Sequence, residues 1–296
     1  MARIEYSDGR TVEALEGESV LEASIRNGID HLHACGGNGR CTTCRIGIVE
    51  GREFCPEPEQ AEREALALRG HDAKTRLACQ LRPTGPIKVC CLLAEHPEHR
   101  PILAEGMAHE SEVAVLFTDL RDFTPFAEKS LPFDVVHLLN RFFDRIGTIV
   151  EANHGHVVAF LGDGALCMFE DEDPWSSTAR AVTAGLQIVE AVEVFSEYSL
   201  PEFGYATRAG VGIAFGRAVI GKIGYYNRSS ENIVGDVVNT ASRIQDETKR
   251  AGVALLVDEA VMKMTRDRFA YVECCEAELK GKSCGVKLFS IEASGG

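Results

Sequence analysis

The chain has 296 residues, of which 45% are hydrophobic and 26% charged, and its formal net charge is −14. This length allows two domains of ordinary size, and the apolar fraction is that of a globular protein. The acidic balance disfavours nucleic acid or an anionic membrane as partner, although a local metal site can still attract small anions.

We expect neither a targeting signal nor a membrane-spanning segment in this sequence. No apolar run approaches the roughly 20 residues of a spanning helix, and the start, MARIEYSDG, lacks the basic and apolar regions of a signal peptide. We therefore expect a soluble cytoplasmic protein that binds neither membranes nor nucleic acid.

The first 92 residues predict a small mixed unit of strands and helices. Gly28 and Gly70 each follow a predicted helix at a position where a glycine commonly ends it. Residues 34–44 form a loop rich in glycine and cysteine. The predicted strands are 3–6, 10–15, 45–49, 76–81 and 87–93, and the predicted helices are 18–27 and 58–69.

Residues 93–111 include two prolines and several charges without clear periodicity, which indicates a linker, helical in its second half. After it the pattern restarts in the order β-α-β-β-α-β, a split βαβ arrangement. The predicted strands are 113–117, one on each side of Gly162–Gly164, 207–215 and 217–223; the predicted helices are 132–152, 178–195 and 236–250. We expect an α+β protein with domains at 1–92 and 112–296.

Four cysteines have the spacing of a ligand set. Cys35, Cys41 and Cys44 form C-x(5)-C-x(2)-C, and Cys79 follows after 34 residues. Four thiolates bind an iron–sulfur cluster or a zinc ion, and the two C-x(2)-C knuckles frequent in zinc sites are absent. Glycines in the loop permit positive φ and let amides turn toward sulfur, which would raise the cluster potential.

The other seven cysteines are interpreted as small buried hydrophobic residues. The adjacent pair Cys274–Cys275 has a redox site as its alternative interpretation. The seven are Cys55, Cys90, Cys91, Cys167, Cys274, Cys275 and Cys284.

At the four-cysteine pattern the chain resembles 2Fe-2S ferredoxins of the β-grasp type, over roughly residues 1–92. The resemblance implies a 2Fe-2S cluster on Cys35, Cys41, Cys44 and Cys79, and a reductase as redox partner. The first two cysteines are separated by five residues, whereas the plant-type loop has four. This spacing is nearer that of adrenodoxin-like and some bacterial ferredoxins, and it leaves the electron partner open.

Two aspartates stand at the edges of apolar runs. Asp119 ends the strand of VAVLFTDLRDFT, and Asp163 lies in the turn of FLGDGALCMF. If the two strands are neighbours, the carboxylates converge and hold Mg²⁺ or Mn²⁺. Two such ions can activate an attacking oxygen and hold a leaving phosphate oxygen. The amides of residues 120–124 would cradle phosphates.

A third motif, ENIVGDVVNTASRIQ, places Asn239 and Arg243 four apart on one helix face. Asparagine can orient a ribose oxygen, and arginine can stabilise charge developing on a phosphoryl group. The N-x(3)-R spacing alone is weak evidence. In combination with both aspartate motifs and the glycine-spaced GVGIAFGRAVIGKIG it becomes specific.

These segments resemble, in this order, the class III nucleotidyl cyclase catalytic domain, over about residues 111–292. The resemblance implies a ferredoxin-like palm with additions, metal binding by Asp119, Asp163 and the backbone of Leu120, and catalysis by Asn239 and Arg243. It also implies a homodimer in which the aspartates of one subunit face the Asn and Arg of the other. The implied nucleotide-binding residues are Phe123, Thr124, Ala159, Arg228, Asn232 and either Lys280 or Lys282.

The purine-reading positions depart from the family pattern. Adenylate cyclases usually have Lys, and guanylate cyclases Glu, where this chain has Ala159; the partner position is Asn232. Loss of one polar contact would weaken purine discrimination by ~1–3 kcal/mol. We predict a redox-regulated adenylate cyclase acting on ATP. A guanylate cyclase, and a redox sensor or electron carrier whose cyclase domain only binds nucleotide, are the alternatives.

Overall fold

The computed structural model describes residues 2–68, 74–92, 108–225, 228–277 and 285–291. The chain divides into two compact units. The first comprises residues 1–109 and 222–230, and the second comprises residues 110–221 and 231–296. Within the described ranges, no helix is both long enough and apolar enough to cross a membrane.

The described part of the first unit contains a five-stranded sheet in the order β2-β1-β5-β3-β4. Strand β1 is antiparallel to β2 and parallel to β5. The elements are β1 (Ala2–Tyr6), β2 (Thr11–Ala14), α1 (Val20–Arg26), β3 (Arg45–Glu50), a 3-10 turn (Arg52–Phe54), α2 (Gln60–Ala67), β4 (Thr75–Leu77) and β5 (Ile87–Cys91).

Helix α1 begins at a capping box, in which Ser19 accepts from the Glu22 amide and Glu22 accepts from the Ser19 amide. Its apolar side, Val20 and Leu21, is buried in the core of the sheet. The amides of these two residues donate to the carbonyls of Leu81 and Ala78. The predicted strand 76–81 is therefore wrong in its second half, because residues 78–80 form a turn against the start of α1.

The second unit is built on a longer sheet, ordered β12-β13-β11-β9-β6-β8-β7 in the described residues, with β10 paired to β9. Its elements are β6 (Ala108–Leu120), α3 (Phe123–Ala127), α4 (Pro132–Ala152), β7 (His156–Leu161), β8 (Gly164–Phe169), α5 (Pro174–Phe203), β9 (Ala209–Tyr225), β10 (Arg228–Val234), α6 (Asp236–Ala251), β11 (Leu255–Asp258), α7 (Glu259–Thr265), β12 (Tyr271–Ala277) and β13 (Val286–Ile291).

The order β9-β6-β8-β7, with helices α4 and α5 in the connections, is the split βαβ arrangement, and the α+β prediction is confirmed. The two faces of β6 belong to different cores. Ala114, Leu116 and Leu120 pack with α4 and α5, whereas Val113 and Val115 pack with α6. Asp119 has the parity of Val113 and Val115, so it lies on the α6 side of the sheet.

Several predicted elements of this unit differ from the structure. Strand β6 begins at Ala108, within the predicted linker, and the strands predicted at 207–215 and 217–223 are the single strand β9. Helix α5 is longer at both ends than the predicted 178–195. Six elements were not predicted: α3, β10, β11, α7, β12 and β13. Short apolar segments such as α3 owe their conformation to tertiary packing, which periodicity does not report.

Candidate functional site

Strand pairing brings the two aspartates together. Asp119 lies directly opposite Gly164 in the β6·β8 ladder, and Asp163 is the residue before Gly164. The two carboxyl groups are within hydrogen-bonding range of each other. Two strand ends that are distant in sequence therefore create one acidic point at the edge of the sheet.

The charged groups that most affect the pKa of Asp119 are two other acids, Asp163 and Asp246. Burial, followed by the charge of Asp163, raises the pKa of Asp119 to about 7, even though the Leu120 amide donates to Asp119 Oδ1 at 3.0 Å. Two adjacent hard carboxylates suit a divalent cation, which would offset the repulsion between them. In the described ranges, no third His, Cys, Asp or Glu side chain joins Asp119 and Asp163 as a metal ligand. Mg²⁺ or Mn²⁺ would therefore complete its coordination with water and substrate oxygens.

Gly164 is required by this pairing. A Cβ atom at Gly164 would lie 2.9 Å from the Thr118 carbonyl oxygen and 3.3 Å from Asp119 Oδ1. A side chain would therefore displace the Asp119 carboxylate. In the FLGDG motif, Asp163 is therefore followed by a glycine, the only residue type that fits opposite Asp119.

The pH dependence of stability tests the carboxyl pair. Because the folded-state pKa of Asp119 is raised from 3.8 to about 7, its contribution to stability is present at low pH and is lost as pH rises through about 7. Asp163→Asn removes the neighbouring charge and lowers that pKa. We expect the metal-free variant to melt at a higher temperature than wild type at pH 8, with the difference shrinking below pH 5. A Tm difference that is equal at both pH values, in unfolding scans with chelator, would contradict the pairing.

The predicted phosphate cradle is smaller than expected. The Leu120 amide donates to Asp119, and the Arg121 amide donates to the Arg208 carbonyl at 2.8 Å. The prediction that amides 120–124 face phosphate is therefore wrong for these two residues. A metal contact by the Leu120 backbone would have to come from its carbonyl oxygen.

Helix α6 lies against the glycines of β9. A Cβ at Gly212 would lie 2.2 Å from the Gln245 amide nitrogen, and one at Gly210 would lie 2.5 Å from Thr248 Oγ1. Gly216 makes a similar, looser approach to Val237. The GVGIAFG spacing thus forms a groove on one face of β9, and the groove sets the position of α6.

The α6 motif residues point away from this groove. The helix buries Val237, Ala241 and Ile244, whereas Asn239 is exposed and Arg243 half-buried. Neither Asn239 nor Arg243 makes a hydrogen bond or ion pair with a described residue. The structure therefore places this pair on one helix face, without joining it to the aspartates of the same chain.

A bulge sets the position of Ala159. Val157 pairs with Cys167, but Ala159 pairs with Leu166, so Val158 is the extra residue. Leu166 belongs to the core on the α6 side, which puts Ala159 on the same face as Asp119. Without the bulge Ala159 would face α4. Asn232 is half-buried, and its Oδ1 accepts from the Ile233 amide at 2.8 Å, which leaves its NH₂ group to donate.

The structure says less about the other residues that were predicted to bind nucleotide. Phe123 is half-buried and its ring is 5.9 Å from that of Phe126, and Thr124 is exposed at the start of α3. Arg228 begins β10, but its side chain lies outside the described residues, as do Lys280 and Lys282.

The four candidate cluster cysteines form two pairs. Cys44 Sγ and Cys79 Sγ are 3.4 Å apart, and Cys35 is hydrogen-bonded to Cys41. In each pair one thiol pKa is raised and the other lowered by the shared hydrogen bond: the pKa of Cys41 falls to about 5 and that of Cys79 to about 7. Two thiolate pairs fit a two-iron cluster, in which each iron takes two of the four protein thiolates.

Polar groups of the loop point at these sulfurs. The Arg40 and Asn38 amides bond to Cys35 and the Gly39 amide bonds to Cys79, and each bond lowers the thiol pKa. Gly36, Gly37 and Gly39 have positive φ. The predicted turning of amides toward sulfur is therefore present, and it stabilises the charged thiolates.

Two buried polar contacts that were not predicted hold the cluster segments. Glu62 of α2 makes a bidentate ion pair with Arg76, at 2.9 and 3.0 Å, just before the Cys79 turn. His31 bonds through Nε2 to the Cys44 carbonyl at 3.2 Å, and burial lowers its pKa. A carbonyl only accepts, so Nε2 carries the proton. Nothing in the local pattern marks Glu62 or His31 as buried.

The interpretation of the other cysteines needs correction. Among those in the described ranges, only Cys167 is fully buried, and its pKa is raised to about 12 by that burial. Five are half-buried: Cys55, Cys90, Cys91, Cys274 and Cys275. Cys284 lies outside the described residues.

Cys79→Ser is expected to remove most of the iron and bleach the visible absorbance, because it takes away one of four thiolates. Cys90→Ser is the matched control, since the Cys90 thiol, on β5, lies against the Gly47 carbonyl of β3 and takes no part in the four-thiol group. Iron analysis and visible spectra check both variants. Equal iron content in the two would contradict the assignment of Cys79.

Comparison with known families covers both units. Residues 4–84 match the 2Fe-2S iron-sulfur cluster binding domain, and residues 106–293 match the Adenylate and Guanylate cyclase catalytic domain. Both resemblances drawn from the sequence are thereby confirmed.

Curated relatives are similar over the second unit. Adenylate cyclase 1 of Rhizobium meliloti is 32% identical over 191 residues, covering 62% of this chain and 28% of that protein. The adenylate cyclase of Anabaena cylindrica is 25% identical over 202 residues, covering 64% and 38%. The receptor-type guanylate cyclase gcy-5 of Caenorhabditis elegans is 30% identical over 161 residues, covering 54% and 14%. The chain thus spans less than half the length of each of these relatives.

Solved structures share the fold of the same region. The adenylyl cyclase CyaB from P. aeruginosa superposes with a TM-score of 0.59 at 22% identity, covering 63% of this chain and 96% of that one. The guanylyl cyclase Cya2 superposes with a TM-score of 0.58 at 24% identity, covering 62% and 93%.

Proposed function

The chain belongs to the adenylate and guanylate cyclase catalytic domain family, and we propose from this that it is a redox-regulated adenylate cyclase converting ATP to 3′,5′-cyclic AMP and pyrophosphate. The observation that carries the proposal is the facing carboxyl pair of Asp119 and Asp163 at the end of β6 and β8. The motifs FTDLRDFT, FLGDG and N-x(3)-R support it.

The reaction needs only the groups already described. The 3′-oxygen of ATP attacks the α-phosphorus, the bond to the pyrophosphate oxygen breaks, and the hydroxyl proton passes to solvent. Asp119 and Asp163 would hold divalent cations, which would supply Lewis-acid polarisation of the hydroxyl and the phosphates. Arg243 stabilises the negative charge that develops on the phosphoryl oxygens, and Asn239 orients the ribose.

The orientation of α6 supports a homodimer with composite sites. Asn239 and Arg243 lie on the side of α6 away from the sheet, whereas Asp119 lies on the sheet face that α6 covers. A 16-residue helix seated on Gly212 cannot rotate to bring them inward. We therefore propose that a second copy brings its Asn239 and Arg243 to the aspartates, giving two equivalent sites.

ATP is favoured over GTP by relatives named as adenylate cyclases. The purine pocket itself discriminates weakly, since Ala159 offers no hydrogen bond and Asn232 presents an NH₂ group that either purine can accept. A guanylate cyclase is the second candidate, because relatives named as guanylate cyclases match the same region. Arg228 with Lys280 or Lys282 is proposed to contact the triphosphate.

The ferredoxin-type unit is proposed to regulate the reaction, since cyclisation transfers no electrons. Reduction adds one negative charge to a 2Fe-2S cluster on Cys35, Cys41, Cys44 and Cys79, supplied by a reductase. That charge can bias the population of active conformers by ~1–3 kcal/mol, which is about 5- to 150-fold in activity. We place this enzyme in the cytoplasm, where an acidic protein with reduced thiols is expected.

The test is an anaerobic assay with Mg²⁺ or Mn²⁺ and with ATP and GTP in parallel, before and after reduction by dithionite. Cyclic AMP should be the main product, and its rate should differ between the two redox states. Product from GTP alone would replace the substrate assignment, and equal rates in both states would remove redox control. Absence of any cyclic product would favour a sensor or electron carrier that only binds nucleotide.

A further inference from the structure

Arg121 links the segment after Asp119 to the end of helix α6. Its Nη2 donates to the Thr248 carbonyl at 3.2 Å and also to the Val253 carbonyl. Thr248 lies in the last turn of α6, and Val253 lies just after the left-handed cap at Gly252. The Thr248 carbonyl already accepts the Gly252 amide and, at 3.1 Å, the Val253 amide, so the guanidinium is an additional donor to an oxygen at the negative end of the helix dipole.

The backbone around Arg121 is fixed as well. The Arg121 amide donates to the Arg208 carbonyl at 2.8 Å, and its carbonyl accepts from Tyr205 Oη at 2.6 Å. The next residue, Asp122, has φ +58° and accepts from Lys249 Nζ at 3.0 Å. A movement of this segment must therefore move the end of α6 with it.

The Arg121 guanidinium is poorly arranged for stability alone. Its Nε is buried without a hydrogen-bond partner in the described part of the chain, and its recorded side-chain contacts are carbonyls rather than carboxylates. A partly buried charge without an ionic partner costs desolvation free energy, and an apolar side chain of similar size is often as stable. The contact therefore calls for an explanation other than folding.

We propose that Arg121 is a positioning residue that couples the two composite sites of the homodimer. Within one subunit it holds Asp119, which serves one site, and α6, which carries Asn239 and Arg243 to the other site. This inference rests on the proposed function. Because α6 is seated on the glycines of β9, a displacement of its C-terminal end is carried along the helix as a rigid element.

A heterodimer with one intact site separates the two halves of this role. The aspartate-null chain carries Asp119→Asn and Asp163→Asn, and the helix-null chain carries Asn239→Ala and Arg243→Ala. The two chains, with different affinity tags, are co-expressed at full length and purified through both tags. In the heterodimer the helix-null chain supplies the aspartates of the intact site, and the aspartate-null chain supplies its Asn and Arg.

Arg121→Met is then placed in either chain of the heterodimer. We expect each placement to lower kcat by at least 10-fold, because each breaks one of the two connections that Arg121 makes. The Tm of the variant should be equal to or above that of the parent. Arg121→Lys should restore part of the rate, since an ammonium group can reach one of the two carbonyls.

Other outcomes overturn the coupling. If kcat falls only when Arg121→Met is in the helix-null chain, Arg121 positions only the neighbouring Asp119. If kcat falls only when it is in the aspartate-null chain, Arg121 positions only α6. If Arg121→Met lowers Tm by many degrees, Arg121→Gln is used instead, at a temperature where the parental heterodimer and both variants are folded. A loss of kcat in only one of the two placements again refutes the proposal. An inactive parental heterodimer would instead refute the composite site itself.

Arg250→Met is the matched control. Arg250 belongs to the same helix, but its side chain is 80% exposed and, among the described residues, pairs only with Glu247, at 2.6 Å. In both placements it should leave kcat and Tm within about twofold and one degree of the parent, as is usual for an exposed surface pair.

Discussion

Asp119→Asn is expected to lower kcat with ATP by on the order of 10³-fold, about 4 kcal/mol of transition-state stabilisation. The amide keeps the size of the side chain but cannot neutralise a divalent cation beside Asp163. The fold should not suffer. The substitution removes a carboxyl group whose pKa is raised first by burial and then by the charge of Asp163, so the metal-free variant should melt at or above the wild-type temperature.

The measurements are steady-state rates with Mg²⁺ and Mn²⁺, thermal unfolding and the visible spectrum. Asp144→Asn is the matched control, because Asp144 is an exposed carboxylate on α4 whose side chain forms no hydrogen bond or ion pair with the described residues. It should keep the wild-type rate. An Asp119→Asn variant with more than a tenth of wild-type activity would refute the assignment of the metal site.

Gly212→Ala is expected to lower kcat by about 10²-fold and stability by ~1–3 kcal/mol. The added Cβ would lie 2.2 Å from the Gln245 nitrogen and 2.5 Å from the Ala241 carbonyl oxygen. Both are backbone atoms of α6, so no side-chain rotation relieves the contact and the whole helix must move outward. Asn239 and Arg243 would move with it, away from the position in which we propose that they contact substrate.

Gly147→Ala is the control for this glycine. Gly147 lies within α4, and a Cβ there meets nothing within 4 Å. Alanine in a helix interior should be more stable than glycine by roughly 0.5–1 kcal/mol, without change in rate. If Gly212→Ala behaved like Gly147→Ala, the glycine groove would not be what positions α6.

The sequence was sufficient to predict an element or a site residue where a single helix, strand or loop has a recognisable residue pattern of its own. Helix α4 begins and ends at Pro132 and Ala152, as its apolar spacing predicts, because one face of a long amphipathic helix has a clear 3.6-residue period. The positions of Asp119 and Asp163 at strand ends were readable for the same reason: each closes an apolar run. The four-cysteine spacing likewise identified its own loop.

Local sequence failed where pairing between distant segments decides the outcome. The bulge at Val158 changes the face of the sheet on which Ala159 lies, and no residue near Val158 indicates a bulge. Strand β10 was missed, and β9 was divided in two at Gly216, since the glycine there serves the packing of α6 rather than a turn. Cys79 was predicted to lie in a strand, but its segment forms a turn, because the carbonyls of Ala78 and Leu81 accept the first amides of α1.

The sequence by itself determined the fold class, the two-unit order and the residue types of both candidate sites, because hydrophobic period and ligand spacing are properties of short segments. Only the tertiary structure decided which groups face one another. In it, the β6·β8 pairing places Asp119 beside Asp163, Asn239 and Arg243 lie on the side of α6 away from the sheet, and Arg121 is hydrogen-bonded to the end of α6. These arrangements depend on register, bulges and close backbone approaches, which arise from contacts between residues far apart in the chain.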